Sequence, residues 1–295
     1  PITRECVAFA RRPDAFAVAF GRTPARPRIA FSAPAGRHFY GHGVFSPDGR
    51  LLYTTENDFE KARGVIGVWD ATANYRRVGE IPAHGIGPHD INLLRDGRTL
   101  VVANGGIITH PDYGRRPLNP ADMQPVLSYV DRLQGDLVER HGLPRELSKL
   151  SIRHLDIAAN DTVVFGCQFK GPRTEIVSLI GLHRRGQEIA LLPADPSVQR
   201  ALRQYVSSVA VDRDGEFAAL NSSRGGAIVL VDIAKRTARI SPSWPDVSGI
   251  APAGHQGGFI ATSGHGDIGL VAPASGQQRA LGKTDWAWDN HLVSL

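Results

Sequence analysis

HGVFSPDGRLLYTTEN, residues 42–57, decides the fold. An apolar strand runs into a Ser-Pro-Asp-Gly turn. A second apolar strand leaves it and ends in polar residues. Proline and glycine flanking an aspartate between two apolar runs is turn chemistry with a mechanism: fixed φ, a side-chain acceptor, then a left-handed residue. GVIGVWDAT (64–72) follows as a third strand, rich in Val and Ile and ending in Asp. The succession recurs in HDINLLRDGRTLVVANGG (89–106), in HLDIAANDTVVFGCQFKG (154–171) with EIVSLIGL (175–182), and in SSVAVDRDGEFAALNSSRGG (207–226) with AIVLVDIA (227–234). A more worn copy is SGIAPAGHQGGFIATSGHG (248–266) with DIGLVAP (267–273). The copies start 47, 65, 53 and 41 residues apart. Short strands repeating about every 40–50 residues mark β-propeller blades.

The expectation is therefore an all-β chain, a β-propeller with about six blades' worth of strands. Five copies are complete. DNHLVSL (289–295) reads as a first strand, and ECVAFARR (5–12), AFAVAFGR (15–22) and RPRIAFS (26–32) read as the remaining strands of a split blade. First strands are predicted at about 42–46, 89–94, 154–158, 207–211, 247–251 and 291–294. The alternative is a β-sandwich of hairpins, whose strands would not repeat in sequence. The long 65-residue interval holds an insertion, ITHPDYGRRPLNPADMQP (108–125), whose prolines and glycines read as a loop. PSVQRALRQY (196–205) is the one helical stretch. The whole chain, 1–295, reads as a single propeller domain with that insertion.

Composition narrows the function classes. Of 295 residues, 32 are Gly and 20 Pro, too many turn formers for a long-helix protein. Apolar residues make up 42%, enough for a packed core. No apolar run approaches the roughly 20 residues of a membrane-spanning helix. The net charge of +5 comes mostly from scattered arginines. The five lysines, Lys61, Lys149, Lys170, Lys235 and Lys283, form no block, so a nucleic-acid groove is not indicated. Cys6 and Cys167 make neither a disulfide framework nor a CxxC motif and read as small buried hydrophobes. The chain begins at Pro1, so a processed or truncated product is expected. A GxSxG elbow is absent, and the Gly-rich runs are not followed by helices, which argues against a serine hydrolase and a phosphate loop.

The histidines fall in one register. First strands line a propeller's central channel, and His42, His89, His154 and His291 each open one. His42 precedes Asp48 by six residues, His89 precedes Asp96 by seven, and His154 precedes Asp161 by seven. Ser207 and Ser248 hold the place in the other two copies. Second strands return to the same mouth carrying Glu56, Asn104 and Gln168, and Asp90 and Asp156 follow two of the histidines. Imidazoles backed by carboxylates and amides suit a transition metal, Fe or Cu, with Zn also fitting. The bland reading is a set of scaffold histidines that hydrogen-bond within their blades. Four functions are open: a metal-binding accessory protein, a metal-dependent oxidoreductase, a lactonase-like hydrolase, and a protein-interaction scaffold.

The runs at 36–71, 79–115 and 286–295 (GRHFYGHGVFSPDGRLLYTTEN…, GEIPAHGIGPHDINLLRDGR… and WAWDNHLVSL) resemble the bacterial domain-of-unknown-function family 1513 over essentially the whole chain. The resemblance implies a seven-bladed propeller in full-length members, with a further N-terminal segment that holds a first strand. It also implies twin-arginine export, hence the periplasm; the expected protein is a monomer with no nucleic-acid partner and no membrane span. Neighbouring genes in the family imply work beside periplasmic iron-uptake or haem proteins.

Overall fold

A computed structural model describes residues 4–10, 14–21, 29–114, 116–254 and 257–293. Every sheet is an antiparallel meander, each strand pairing with its chain neighbour. Blade one has three strands, β1 (Glu5–Phe9), β2 (Phe16–Gly21) and β3 (Ile29–Ser32). Blade two has β4 (Arg37–Phe45), β5 (Leu51–Asp58), β6 (Arg63–Asp70) and β7 (Arg76–Pro82). Blade three has β8 (Pro88–Leu93), β9 (Thr99–Asn104), β10 (Val126–Asp131) and β11 (Leu137–Gly142). Blade four has β12 (Leu150–Ile157), β13 (Val163–Phe169), β14 (Ile180–His183) and β15 (Ala190–Leu191). The helix α1 (Pro196–Leu202) follows. Blade five has β16 (Ser208–Val211), β17 (Phe217–Ser222), β18 (Ala227–Asp232) and β19 (Thr237–Ile240). Blade six has β20 (Val247–Pro252), β21 (Phe259–Ser263), β22 (Asp267–Val271) and β23 (Gln278–Lys283). Six such blades make the fold a β-propeller.

Contacts divide the chain into two compact units, 1–152 and 153–295. Within the first, β4 packs on β8, and within the second β16 packs on β20, so consecutive blades meet through their first strands. Apolar side chains fill the spaces between blades. Phe31, Phe39, Trp69 and Tyr75 pack between blades one and two, and Tyr53, Ile66, Ile91 and Val102 between blades two and three. Ile228, Ile250 and Phe259 do the same between blades five and six.

The turns explain the repeat. Gly49 N donates to Ser46 O (2.8 Å) and Gly97 N to Leu94 O (3.0 Å), with φ of +70° and +64°. The preceding Asp48 and Asp96 each accept from the amide two residues on, Arg50 and Arg98. In blade four it is Asn160 that accepts from Thr162 N (3.1 Å), and Asp161, at φ +60°, takes the place of the glycine. Counting from Asp161 is therefore corrected by one residue: His154 stands six before its turn residue, as His42 does.

Five of the six expected first strands are present. The sixth is not: residues 291–293 carry no strand, and 294–295 lie outside the described residues. The helix is found at Pro196–Leu202, capped by Asp195, whose carboxylate accepts from Ser197 N. Cys6 and Cys167 are free thiols, and burial pushes the Cys167 thiol up.

Candidate metal centre

The histidines of blades two and three are delivered by irregular strand pairing. Phe39 pairs with Glu56 and Gly43 with Thr54, so Tyr40, Gly41 and His42 together face Thr55. The extra residues make a bulge, and Gly41 takes φ +107°, a conformation that glycine adopts at little cost. A Cβ on Gly43 would stand 2.9 Å from Tyr53 O, so the strand closes up again only with glycine there. On β8, Pro88 pairs with Asn104 and Asp90 with Ala103, which leaves His89 as the extra residue of a second bulge. The Thr55 hydroxyl lies 3.2 Å from His42 O and 3.4 Å from His89 O, which ties the two bulges side by side.

This arrangement brings the two imidazoles together. Their ring centroids are 5.2 Å apart, tilted by 56°, and a nitrogen of each lies within 4.8 Å of the other. His42 Nδ1 is 2.9 Å from Asp90 Oδ1. Asp90 is buried, and the same oxygen accepts from Ile91 N at 2.8 Å, which fixes the carboxylate. A neutral imidazole that donates through Nδ1 to a carboxylate presents its lone pair at Nε2 and is a more basic ligand for it. Tyr40 stacks beside His89, 6.3 Å between centroids. Beyond Tyr40 the rings continue through His38, Phe59 and His110 to the exposed Tyr113, each 5.1–6.1 Å from the next. The insertion is joined to blade two here, because Asn57 Nδ2 donates to Thr109 O (3.1 Å). Asn119 pins its base by accepting from Ile108 N and donating to Gly106 O.

The second unit holds the other pair. His154 is buried on β12, and His291 is exposed in the strandless C-terminal segment, with 5.6 Å between ring centroids. Trp288 N donates to Ser263 O and Asn290 Nδ2 to Tyr205 Oη, and Leu292 packs against Gly249. Side-chain contacts and isolated backbone bonds thus place His291 without a sheet ladder. Asp156 accepts from Ile157 N and Val211 N, both 2.8 Å, joining blade four to blade five.

Glu56, Asn104 and Gln168 have other partners, and among the described residues none of them hydrogen-bonds one of the four histidines. Glu56 is fully buried, accepting from Arg77 Nη1 (2.7 Å) and Thr54 Oγ1 (3.0 Å). It sits in an ion network across blade two with Arg37, Asp58, Arg63 and Glu80. Asn104 donates to Ser128 Oγ (2.8 Å), and a Cβ on Gly85 would run into it. Gln168 accepts from Lys170 Nζ (3.1 Å). The sequence reading missed the tie through Thr55, and two glycines flanking His42 within a strand were the available signal of a bulge. Of the other histidines, His38 is buried in β4, His110 caps a short turn, and His141 pairs with Glu139 at 3.0 Å. His255 lies outside the described residues, as does Arg115 in the insertion.

The family model described as Protein of unknown function (DUF1513) matches residues 1–295. The chain belongs to this family. No curated protein matches the sequence significantly. This DUF1513 chain therefore combines a propeller with histidine groups whose donor chemistry could hold a metal ion. No helix among its described residues is long and apolar enough to cross a membrane.

Proposed function

We propose that this DUF1513 propeller binds a transition metal, Fe or Cu with Zn also accommodated, through His42, His89, His154 and His291. One observation carries the reading: two imidazoles set side by side on paired bulges, one of them held by a buried carboxylate. Carboxylate–imidazole pairs orient metal ligands and fix their tautomers, and nitrogen-rich sets favour Fe, Cu and Zn over Ca and Mg. His154 and His291, paired at 5.6 Å on a first strand of the same register and on the C-terminal segment, complete the proposed set. The family resemblance supports the rest of the proposal: a periplasmic protein accessory to metal acquisition, working beside iron-uptake or haem proteins.

The test is titration of metal-stripped protein with Cu(II), Fe(II) and Zn(II), followed by calorimetry and elemental analysis. The wild type should take up one of these ions stoichiometrically. His42→Ala with His89→Ala should weaken binding at least about 100-fold, and so should His154→Ala with His291→Ala. The melting temperature of the metal-free variants should stay near wild type. Wild-type affinity in both double variants, or their failure to fold, would overturn the proposal in favour of scaffold histidines.

A further inference from the structure

The second unit carries a group of cations that the metal reading does not use. Lys170 follows the end of β13, Arg224 sits in the turn between β17 and β18, and Arg153 precedes His154 on β12. Lys170 and Arg224 are exposed. Among the described residues neither has a carboxylate partner: Lys170 Nζ donates to Gln168 Oε1 (3.1 Å), and Arg224 lies over the Tyr205 ring, 4.1 Å from its centroid.

The local backbone is built to hold this arrangement. Arg203 and Gln204 both take left-handed φ, +47° and +57°, which is uncommon for consecutive residues with side chains. They deliver Tyr205 to a bridge with Gln168, and Phe169 N donates to Gln204 O (3.1 Å). Gln204 Nε2 reaches on to Pro172 O (2.9 Å), across the loop that Lys170 begins. The turn bearing Arg224 is fixed on the other side. Ser222 Oγ donates to Leu202 O (2.8 Å) at the end of α1, and a Cβ on Gly225 would collide with Ala201 O. Only glycine lets the turn approach the helix so closely.

Two cations, an amide and a phenol thus come together at one place, and among the described residues no carboxylate pairs with Lys170 or Arg224. Desolvation, then the charges of Arg153 and Arg224, push the Lys170 ammonium down to about 8. Beside two guanidinium groups, the ammonium has close positive neighbours that oppose its own charge. Such a group gains most from an anion that enters with it.

The geometry points to a binding site for a small multivalent oxyanion, a polycarboxylate or a phosphate, held by Lys170 and Arg224 with Tyr205 and Gln168 orienting it. Guanidinium and ammonium both pair well with carboxylate and phosphate oxygens, and the guanidinium stacked on a ring is already oriented. Asn290, whose amide donates to Tyr205 Oη (3.4 Å), and Arg153 are chain neighbours of His291 and His154. The anion would therefore sit beside the second histidine pair. The proposal does not depend on metal binding by that pair.

Calorimetry on metal-stripped protein with citrate and with inorganic phosphate as separate probes tests it, and the stronger of the two identifies the anion class. Wild type should bind one of them, with affinity falling as salt rises. Lys170→Gln and Arg224→Gln should each weaken binding at least tenfold, with unchanged melting temperatures because both side chains are exposed. His42→Ala with His89→Ala should leave anion binding intact, which separates this site from the metal reading. Absence of binding by wild type, or equal binding by the Lys170 and Arg224 variants, would overturn the inference.

Discussion

Asp90 is the residue on which the first histidine pair turns. Its Oδ1 accepts from its own chain at Ile91 N and stands 2.9 Å from His42 Nδ1, so backbone geometry is passed directly to an imidazole. Asp90→Asn keeps the shape but removes the charge and offers an amide where the ring needs an acceptor. Metal affinity should fall about 10–100-fold, as for other partners of metal-bound histidines, while the melting temperature of metal-free protein changes little. Calorimetry and thermal melts on the same variant check both halves. At this scale the sequence was informative about where residues stand along their strands and less so about what each one touches. The register of His42, His89 and His154 on first strands was readable, and so was the nearness of Asp90 to His42. That Glu56 belongs to Arg77, and Asn104 to Ser128, depended on which face of a second strand each side chain occupies. Bulges in the neighbouring first strands obscure that parity.

At the scale of elements, the bulges convert an ordinary blade edge into a place where side chains converge. Gly41 at φ +107° has open space around its Cβ position, so Gly41→Ala introduces backbone strain and no clash. It should cost about 1–3 kcal/mol of stability and weaken metal binding as well, because His42 is the next residue. A variant that loses stability without losing affinity would show that His42 is placed independently of the bulge. Blade two makes a second, separate prediction. The Arg37 guanidinium, by hydrogen bond and by charge, and Arg77 beside it hold the Glu80 carboxyl at about 2, below its ordinary 4.5. A carboxyl lowered on folding stabilises fully above about 4.5, and that contribution is lost as pH falls towards 2. Glu80 is 37% exposed, so water and salt screen much of the effect. Melting temperatures followed from pH 7 to pH 2 should fall less steeply below pH 4.5 for Glu80→Gln than for wild type. Parallel curves would mean that the network adds nothing to stability. The turns were legible because their chemistry is local: Ser-Pro-Asp-Gly and Leu-Arg-Asp-Gly each close their own hydrogen bond. Ala-Ala-Asn-Asp misled the count by one because an aspartate there takes the glycine conformation.

For the molecule as a whole, the blade repeat was legible because each blade must bury the same faces against its neighbours. That requirement writes one apolar pattern five times over. The C-terminal segment was not, since His291 is set by contacts with Ser263, Tyr205 and Gly249 and not by a ladder, and no periodicity records such contacts. The insertion at 108–125 is joined through Asn57 and through the series of rings that ends at His89. Replacing 110–118 with a short Gly-Ser linker should leave the blades folded and slow or weaken metal uptake; unfolding of that variant would make the loop part of the scaffold. The central claim is that these histidines are metal ligands, and X-ray absorption at the zinc edge of Zn(II)-loaded protein addresses it most directly. The account predicts imidazole scattering with Zn–N at about 2.0–2.1 Å, diminished in His42→Ala with His89→Ala. A spectrum of oxygen ligands alone, or one unchanged by that double substitution, would contradict it.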